Sequence, residues 1–329
     1  MPQAQPPPSD PTHTPSEYSV STNPTRSVLI FFSLLGIVSA AAGFQFARHV
    51  GVHDGNGRAA TAASSISTAE QKPDAGKAEA EELSQLAPQQ QAERLLERAI
   101  HHQESSINLI RQDADAWRGH LKDTNQLFDL VHQALNSEDL RVRAAAMEID
   151  LAANNLSKSP QSVTRLVQQI RRDPAERPLA LWRIGALGNR GVQPQIVLGC
   201  LLTYARDPQE ETRYWAVEGL AMLGGSASIN PLLDRFAHDD SPRVRQHAGR
   251  VLAQSGMLTP EQRLGVVPDL FNLLDDDALE GSTRGWIYGA LRMITGAAIG
   301  NDTEAWLKWW ARHGTRRSRD SDFDDHTHA

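Results

Sequence analysis

The sequence predicts an all-α protein: an α-solenoid of about five helical hairpins, preceded by one transmembrane helix. Three observations carry this. Four residues of helix N-cap type, Asp139, Asp173, Asp207 and Ser241, recur at intervals of 34 residues. No stretch beyond residue 79 alternates apolar and polar residues with the β-branched enrichment of a strand. An uncharged apolar run lies near the N-terminus.

Residues 1–27 are rich in Pro, Ser and Thr and cannot bury enough apolar area to offset ordering entropy, so they read as a disordered tail. Residues 28–47 read as the membrane helix. No charge falls between Arg26 and Arg48, and the ~21 residues between them span about 31 Å as a helix, close to the hydrocarbon thickness. A signal peptide cleaved near Ala40-Ala41-Ala42 is the alternative. The layout is that of a signal anchor in the inner (cytoplasmic) membrane with the C-terminal domain on the exported, periplasmic side. The flanking arginines Arg26, Arg48 and Arg58 give no clear orientation of their own. Residues 48–78 are small and polar and form a flexible stalk.

Residues 79–314 form the folded domain. The run AEAEELSQLAPQQQAERLLERAIHHQESSINLIRQ suggests one long first helix. Adjacent histidines His101 and His102 point about 100° apart on a helix and so do not converge on one metal. Five hairpins follow. Their first helices are NQLFDLVHQAL, VTRLVQQI, QIVLGCLLTYA, NPLLDRFA and LGVVPDLFNLL. Each second helix carries a start signal, an arginine, an alanine and a stop signal. Pro174, Pro208 and Pro242 follow three of the cap residues. The arginines are Arg143, Arg177, Arg213 and Arg245, with Ala146, Ala180, Ala216 and Ala248 three residues on and Asn154, Gly188, Gly224 and Gly256 eleven on. In the fifth copy Arg284 takes the arginine position, Ile287 replaces the alanine and Gly296 stops the helix one residue late. Pro178 directly follows Arg177, so that helix is expected to start near Arg177.

This ladder resembles the HEAT repeat family, including the bacterial HEAT-like (PBS-lyase-like) variants; DSPRVRQHAGRVLAQSG is a close match. The resemblance covers about residues 120–313. It implies a right-handed superhelix in which each hairpin buries its apolar faces on its neighbours. NDTEAWLKWWARHG, residues 301–314, is expected to cap the stack, with Trp306, Trp309 and Trp310 on one helix face. Residues 315–329 are expected to be a disordered tail.

Composition bounds the function. Lys and Arg number 33 against 40 Asp and Glu, a net charge of -7, which argues against sequence-independent nucleic-acid binding. One cysteine, Cys200, permits neither an internal disulfide nor a CxxC metal site and reads as a buried small hydrophobe. GxSxG, HExxH, P-loop and Rossmann motifs are absent. The resemblance also covers iron-dependent deoxyhypusine hydroxylases and phycobilin lyases. The paired His-Glu dipeptides of the former are missing here, and nothing points to pigment attachment. His238 and His247 have no regular partner. No catalytic residue, cofactor or metal is expected.

Binding remains. The arginine ladder, together with Asp139, Asp173, Asp207 and Ser241, is read as structural, at repeat junctions. Two rows beside it, four residues apart and so on one face, vary in character. From them Glu148, Trp182, Tyr214, Glu218, Gln246 and Arg250 are the candidate partner-binding residues. The expected function is a membrane-tethered scaffold that binds another protein through the solenoid groove. A HEAT-like enzyme or enzyme-associated protein, and a nucleic-acid-binding solenoid, are the alternatives.

Overall fold

The computed structural model describes residues 81, 83 and 85–324. The tail over 1–27, the membrane span over 28–47 and the stalk over 48–78 lie outside them. The described residues contain thirteen helices and no strand. None of these helices is long and apolar enough to cross a membrane. Helices α1 (Pro88–Ile100) and α2 (Glu104–Trp117) form a first hairpin. Then come α3 (Asn125–Leu135) with α4 (Leu140–Ala153), α5 (Pro160–Arg172) with α6 (Arg177–Asn189), and α7 (Pro194–Tyr204) with α8 (Glu210–Leu223). Helices α9 (Ser226–His238) and α10 (Pro242–Ala253), then α11 (Pro260–Leu274) and α12 (Gly281–Thr295), complete the pairs, and α13 (Thr303–Asp324) follows alone.

The single long helix expected at the start is instead the α1–α2 hairpin. The chain turns at His101, and His102 takes the left-handed conformation at φ 61°. Both histidines are exposed. At the other end α13 continues to Asp324, past residue 314, where a disordered tail was expected to begin. The sequence TRRSRDSD lacks proline and glycine, so nothing in it forces the helix to stop.

Caps set most of the other boundaries. The side chains of Thr124, Asp139, Ser159, Ser241 and Thr259 each accept a hydrogen bond from a backbone N–H of the first turn they precede. Asp173 and Asp207 do not cap as expected. The Asp173 carboxylate accepts from the N–H groups of Ala175 and Glu176, and that of Asp207 from Gln209. Each shapes the turn, and the helix begins later. Pro178 does sit in the first turn of a helix starting at Arg177. The stop signals also shift. Gly224, Gly256 and Gly296 are left-handed, but Asn154 and Gly188 are not; Asn155 and Gly191 take that role.

Helices α6, α8, α10 and α12 pack on one another in order and form the inner layer. The closest approach is between α6 and α8. A Cβ on Gly185 would stand 2.2 Å from the Gly219 carbonyl oxygen, and one on Gly219 would stand 2.5 Å from that of Leu181. Ala180, Ala216 and Ala248 on these inner helices are fully buried, as is Ala146 on α4, where a methyl group fits a close-packed interior.

The stack is not continuous at its start. Helix α4 packs on α2 and α3 but not side by side with α6. It is buried on two faces. Val142, Ala145, Ala146, Ile149 and Ala152 join a core with Leu95, Leu96, Ile110 and Trp117. Arg143, Met147 and Leu151, at i, i+4 and i+8, are buried on the other side. Along that side Arg143 donates to the carbonyls of Gln254 and Gly256 past the end of α10. Glu148 pairs with Arg190 at the end of α6, and Asp150 with Arg183 in its middle. Helix α4 therefore runs across the inner helices, from α10 at its start to α6 at its end.

Candidate functional site

The arginine ladder has one shared task. Each guanidinium donates to backbone carbonyls in the turn of its own hairpin. Arg143 reaches Ser137, Arg177 reaches Ile170, and Arg213 reaches Asp207 and Pro208. Arg245 reaches Asp239 and Asp240, and Arg284 reaches Leu274 and Asp276. These carbonyls lie in the last turn of the first helix or just past it, outside the helical ladder, so a planar, permanently charged donor suits them. Two arginines also bridge to the next hairpin. Arg213 forms a two-point bond with Asp239, whose side chain is 0% exposed, at 2.9 and 3.0 Å. Arg245 donates to Thr283 and pairs with Glu280.

Of the six candidate partner-binding residues, two are unavailable. Glu148 is buried and held by Lys158 and Arg190. Trp182 is buried within the inner layer. Tyr214, Glu218 and Arg250 are half-buried and Gln246 is exposed. These four lie on α8 and α10.

The Tyr214 ring stacks on His247 with centroids 4.1 Å apart, and the Arg243 guanidinium lies 4.3 Å from its centroid. Arg243 is held in place by Glu210 and Glu211. His247 Nε2 and a Glu218 carboxylate oxygen are 2.7 Å apart. Burial raises the Glu218 carboxyl, but the hydrogen bond with His247 and the positive charges of His247, Arg250 and His132 on α3 outweigh it. The net effect holds Glu218 below its ordinary value. Burial, with the Glu218 carboxylate beside it, pushes the Tyr214 phenol up to about 12, so it stays a hydroxyl at neutral pH. Arg250 Nε and His247 Nδ1 are buried with no hydrogen-bond partner among the described residues.

His247 was expected to stand isolated; Glu218 and Tyr214 are its partners, 29 and 33 positions away in sequence. Arg243 was not singled out at all. Its position four residues before His247 was the available signal, because the two share a helix face. Among the described residues no three His, Cys, Asp or Glu side chains gather as metal ligands would. Cys200 is half-buried on α7, more exposed than expected. Burial pushes its thiol up to about 11, although the nearby Arg171 charge pulls the other way. At the C-terminal cap Trp306 is fully buried and its indole N–H donates to the Gly300 carbonyl. Trp310 meets the Phe271 ring edge-on at 6.2 Å, and Trp309 stacks on His313. Both are half-buried.

The arrangement on α8 and α10 offers an aromatic ring edged by two arginines, a histidine and an exposed amide. It suits recognition of a carboxylate-bearing side chain or a planar polar group rather than bond-breaking chemistry. Residues 163–253, which run from α5 to the end of α10, match the family of HEAT repeats. A comparison with curated proteins finds no match to the chain.

Proposed function

We propose that this chain is a membrane-tethered scaffold that binds another protein through the α8–α10 face around Tyr214. Helical repeats of this kind present side chains from successive inner helices to an extended partner. The observation that carries the reading is the Tyr214–His247–Arg250 cluster. Around the Tyr214 ring, exposed Gln246 and half-buried Arg250 offer donors that a partner's acceptor can reach, and hydrogen bonds from a charged donor are the stronger ones. Aromatic and arginine side chains are also those that dominate interface energetics. The tether is the uncharged run over 28–47, which supports a single span, and the short N-terminal segment ahead of it favours the helical domain on the exported side. No cofactor enters this reading, and the bound species is a protein rather than a nucleic acid.

A photo-crosslinking amino acid placed at Gln246 in the native cell tests it. The expected result is one dominant adduct that disappears in Tyr214→Ala and Arg250→Glu. The same probe at exposed Gln168 on α5 gives no such adduct. An adduct that survives both substitutions removes the α8–α10 face as the binding surface.

A further inference from the structure

The face opposite the inner layer carries a second feature. Residues 160–206 contain seven arginines and two carboxylates, a local charge of +5 in a chain whose net charge is -7. Arg183 and Arg190 are spent on α4, and Arg177 on the Ile170 carbonyl. Arg165, Arg171, Arg172 and Arg206 are exposed. No salt bridge involves these four among the described residues. Between Arg171 and Arg206 lies α7, PQIVLGCLLTY, which has no charged residue. Only Val197 and Leu201 of α7 are buried. Ile196 is 54% exposed, Cys200 one turn on is half-buried, and Gly199 and Thr203 are exposed beside them. An outer helix facing water would carry charges there.

We propose that the outer face formed by α7 and the end of α5 docks on an anionic lipid bilayer surface. An interfacial contact needs an apolar strip to enter the headgroup boundary and cations at its margin to meet the phosphates. Ile196 with its α7 neighbours supplies the first, and Arg171, Arg172 and Arg206 supply the second. Arg177 donates to the Ile170 carbonyl of α5 while its guanidinium lies 5.7 Å from the Tyr204 ring centroid, so the end of α5 lies beside the end of α7. A second copy of the chain fits less well, because a two-fold contact through this face sets arginine against arginine. Nucleic acid fits less well too, since the strip between the cations offers methyl groups rather than donors. Docking through this face leaves the α8–α10 face turned away from the bilayer. The inference stands apart from both the partner reading and the tether, because its readout is local to α7.

The test uses the full chain with Cys200→Ser and Thr203→Cys, so that one exposed thiol on α7 carries an environment-sensitive fluorophore. The protein is mixed with vesicles of phosphatidylcholine alone, or of phosphatidylcholine with phosphatidylglycerol. The expected result is a blue shift with phosphatidylglycerol vesicles only, reversed by high salt. A fluorophore carried by Gln246→Cys shows no shift. Arg171→Gln with Arg172→Gln lowers the docked-to-undocked ratio about thirty-fold, and Ile196→Ser lowers it further, with circular dichroism spectra unchanged. If the paired substitution disturbs folding, Arg206→Gln alone takes its place with about a fivefold fall expected. No shift on phosphatidylglycerol vesicles overturns the proposal, as does an equal shift on phosphatidylcholine. A shift that depends on protein concentration without vesicles also overturns it, in favour of self-association.

Discussion

Replacing Arg143 by methionine keeps the side chain's stem and removes its charged head. In the native protein that head donates to Ser137, Gln254 and Gly256, the last of these 113 residues away. Removing it leaves two carbonyls at the end of α10 without this donor, at about 1–3 kcal/mol each when buried. Two effects offset part of the loss. Burial holds the Arg143 guanidinium below its ordinary value, and its charge opposes that of Arg263, which burial and this repulsion push down to about 10. Arg263 also donates to Val251, Leu252 and Ser255 and so remains at the same helix end. The net cost is about 2–4 kcal/mol. It falls on the contact between α4 and α10 and not on the stack of α6, α8 and α10. Hydrogen exchange read by mass spectrometry separates the two. Protection over α1 to α4 should fall about hundredfold, while that of α6 and α8 stays within about threefold. Arg141→Met is the control. Its ion pairs with Asp139 and Glu104 are solvent-exposed and worth about 0–1 kcal/mol. A loss no larger than that of the control would refute the crossing of α4 over the inner layer. So would an even loss across all helices.

Four further outcomes follow from the geometry. Gly219→Ala should destabilise the fold by about 1–3 kcal/mol in chemical denaturation, because its Cβ meets the Leu181 carbonyl. Gly199→Ala, with nothing within 4 Å, should be neutral or stabilising by about 0.5–1 kcal/mol. Asp239→Ala should cost about 3–5 kcal/mol, since it strands the Arg213 guanidinium, whose side chain is 11% exposed. A double-mutant cycle with Arg213→Met checks that the two act together. Glu218 is held below its ordinary value, so its contribution to stability is complete above about 4.5 and is lost as pH falls through the depressed value. Glu218→Gln should flatten that part of a melting-temperature profile taken from neutral to acid pH; an unchanged slope would remove the carboxylate from the cluster.

What the sequence made legible was local. Ser241, Pro242 and the Arg245 bonds to Asp239 and Asp240 act within a few residues of themselves, and their spacing announces a hairpin wherever it recurs. The same locality explains the errors. Asp173 and Asp207 have the residue type of a cap, yet an aspartate two or three residues before the cap position binds the same kind of N–H in a turn. The double burial of α4 was out of reach for another reason. Arg143, Met147 and Leu151 look like any second face of an alanine-rich helix, and the groups that pair with Arg143, Glu148 and Asp150 on that side are encoded elsewhere, at Gly256, Arg190 and Arg183. That is why Glu148 reads as a groove residue in sequence and is an internal ion pair in the fold. His247 and Glu218 escaped notice because their pairing depends on how α8 and α10 register, which no single repeat specifies.

The bond from Arg143 to Gly256 bears on how such a chain can evolve. Repeat arrays ordinarily gain and lose units by duplication, since each unit touches only its neighbours. Here one more hairpin between α5 and α10 would carry the end of α10 away by the width of a helix layer, roughly 8–10 Å. The guanidinium could not follow. A change of copy number in this stretch would thus break the bonds from Arg143 to the end of α10 and forfeit their share of stability.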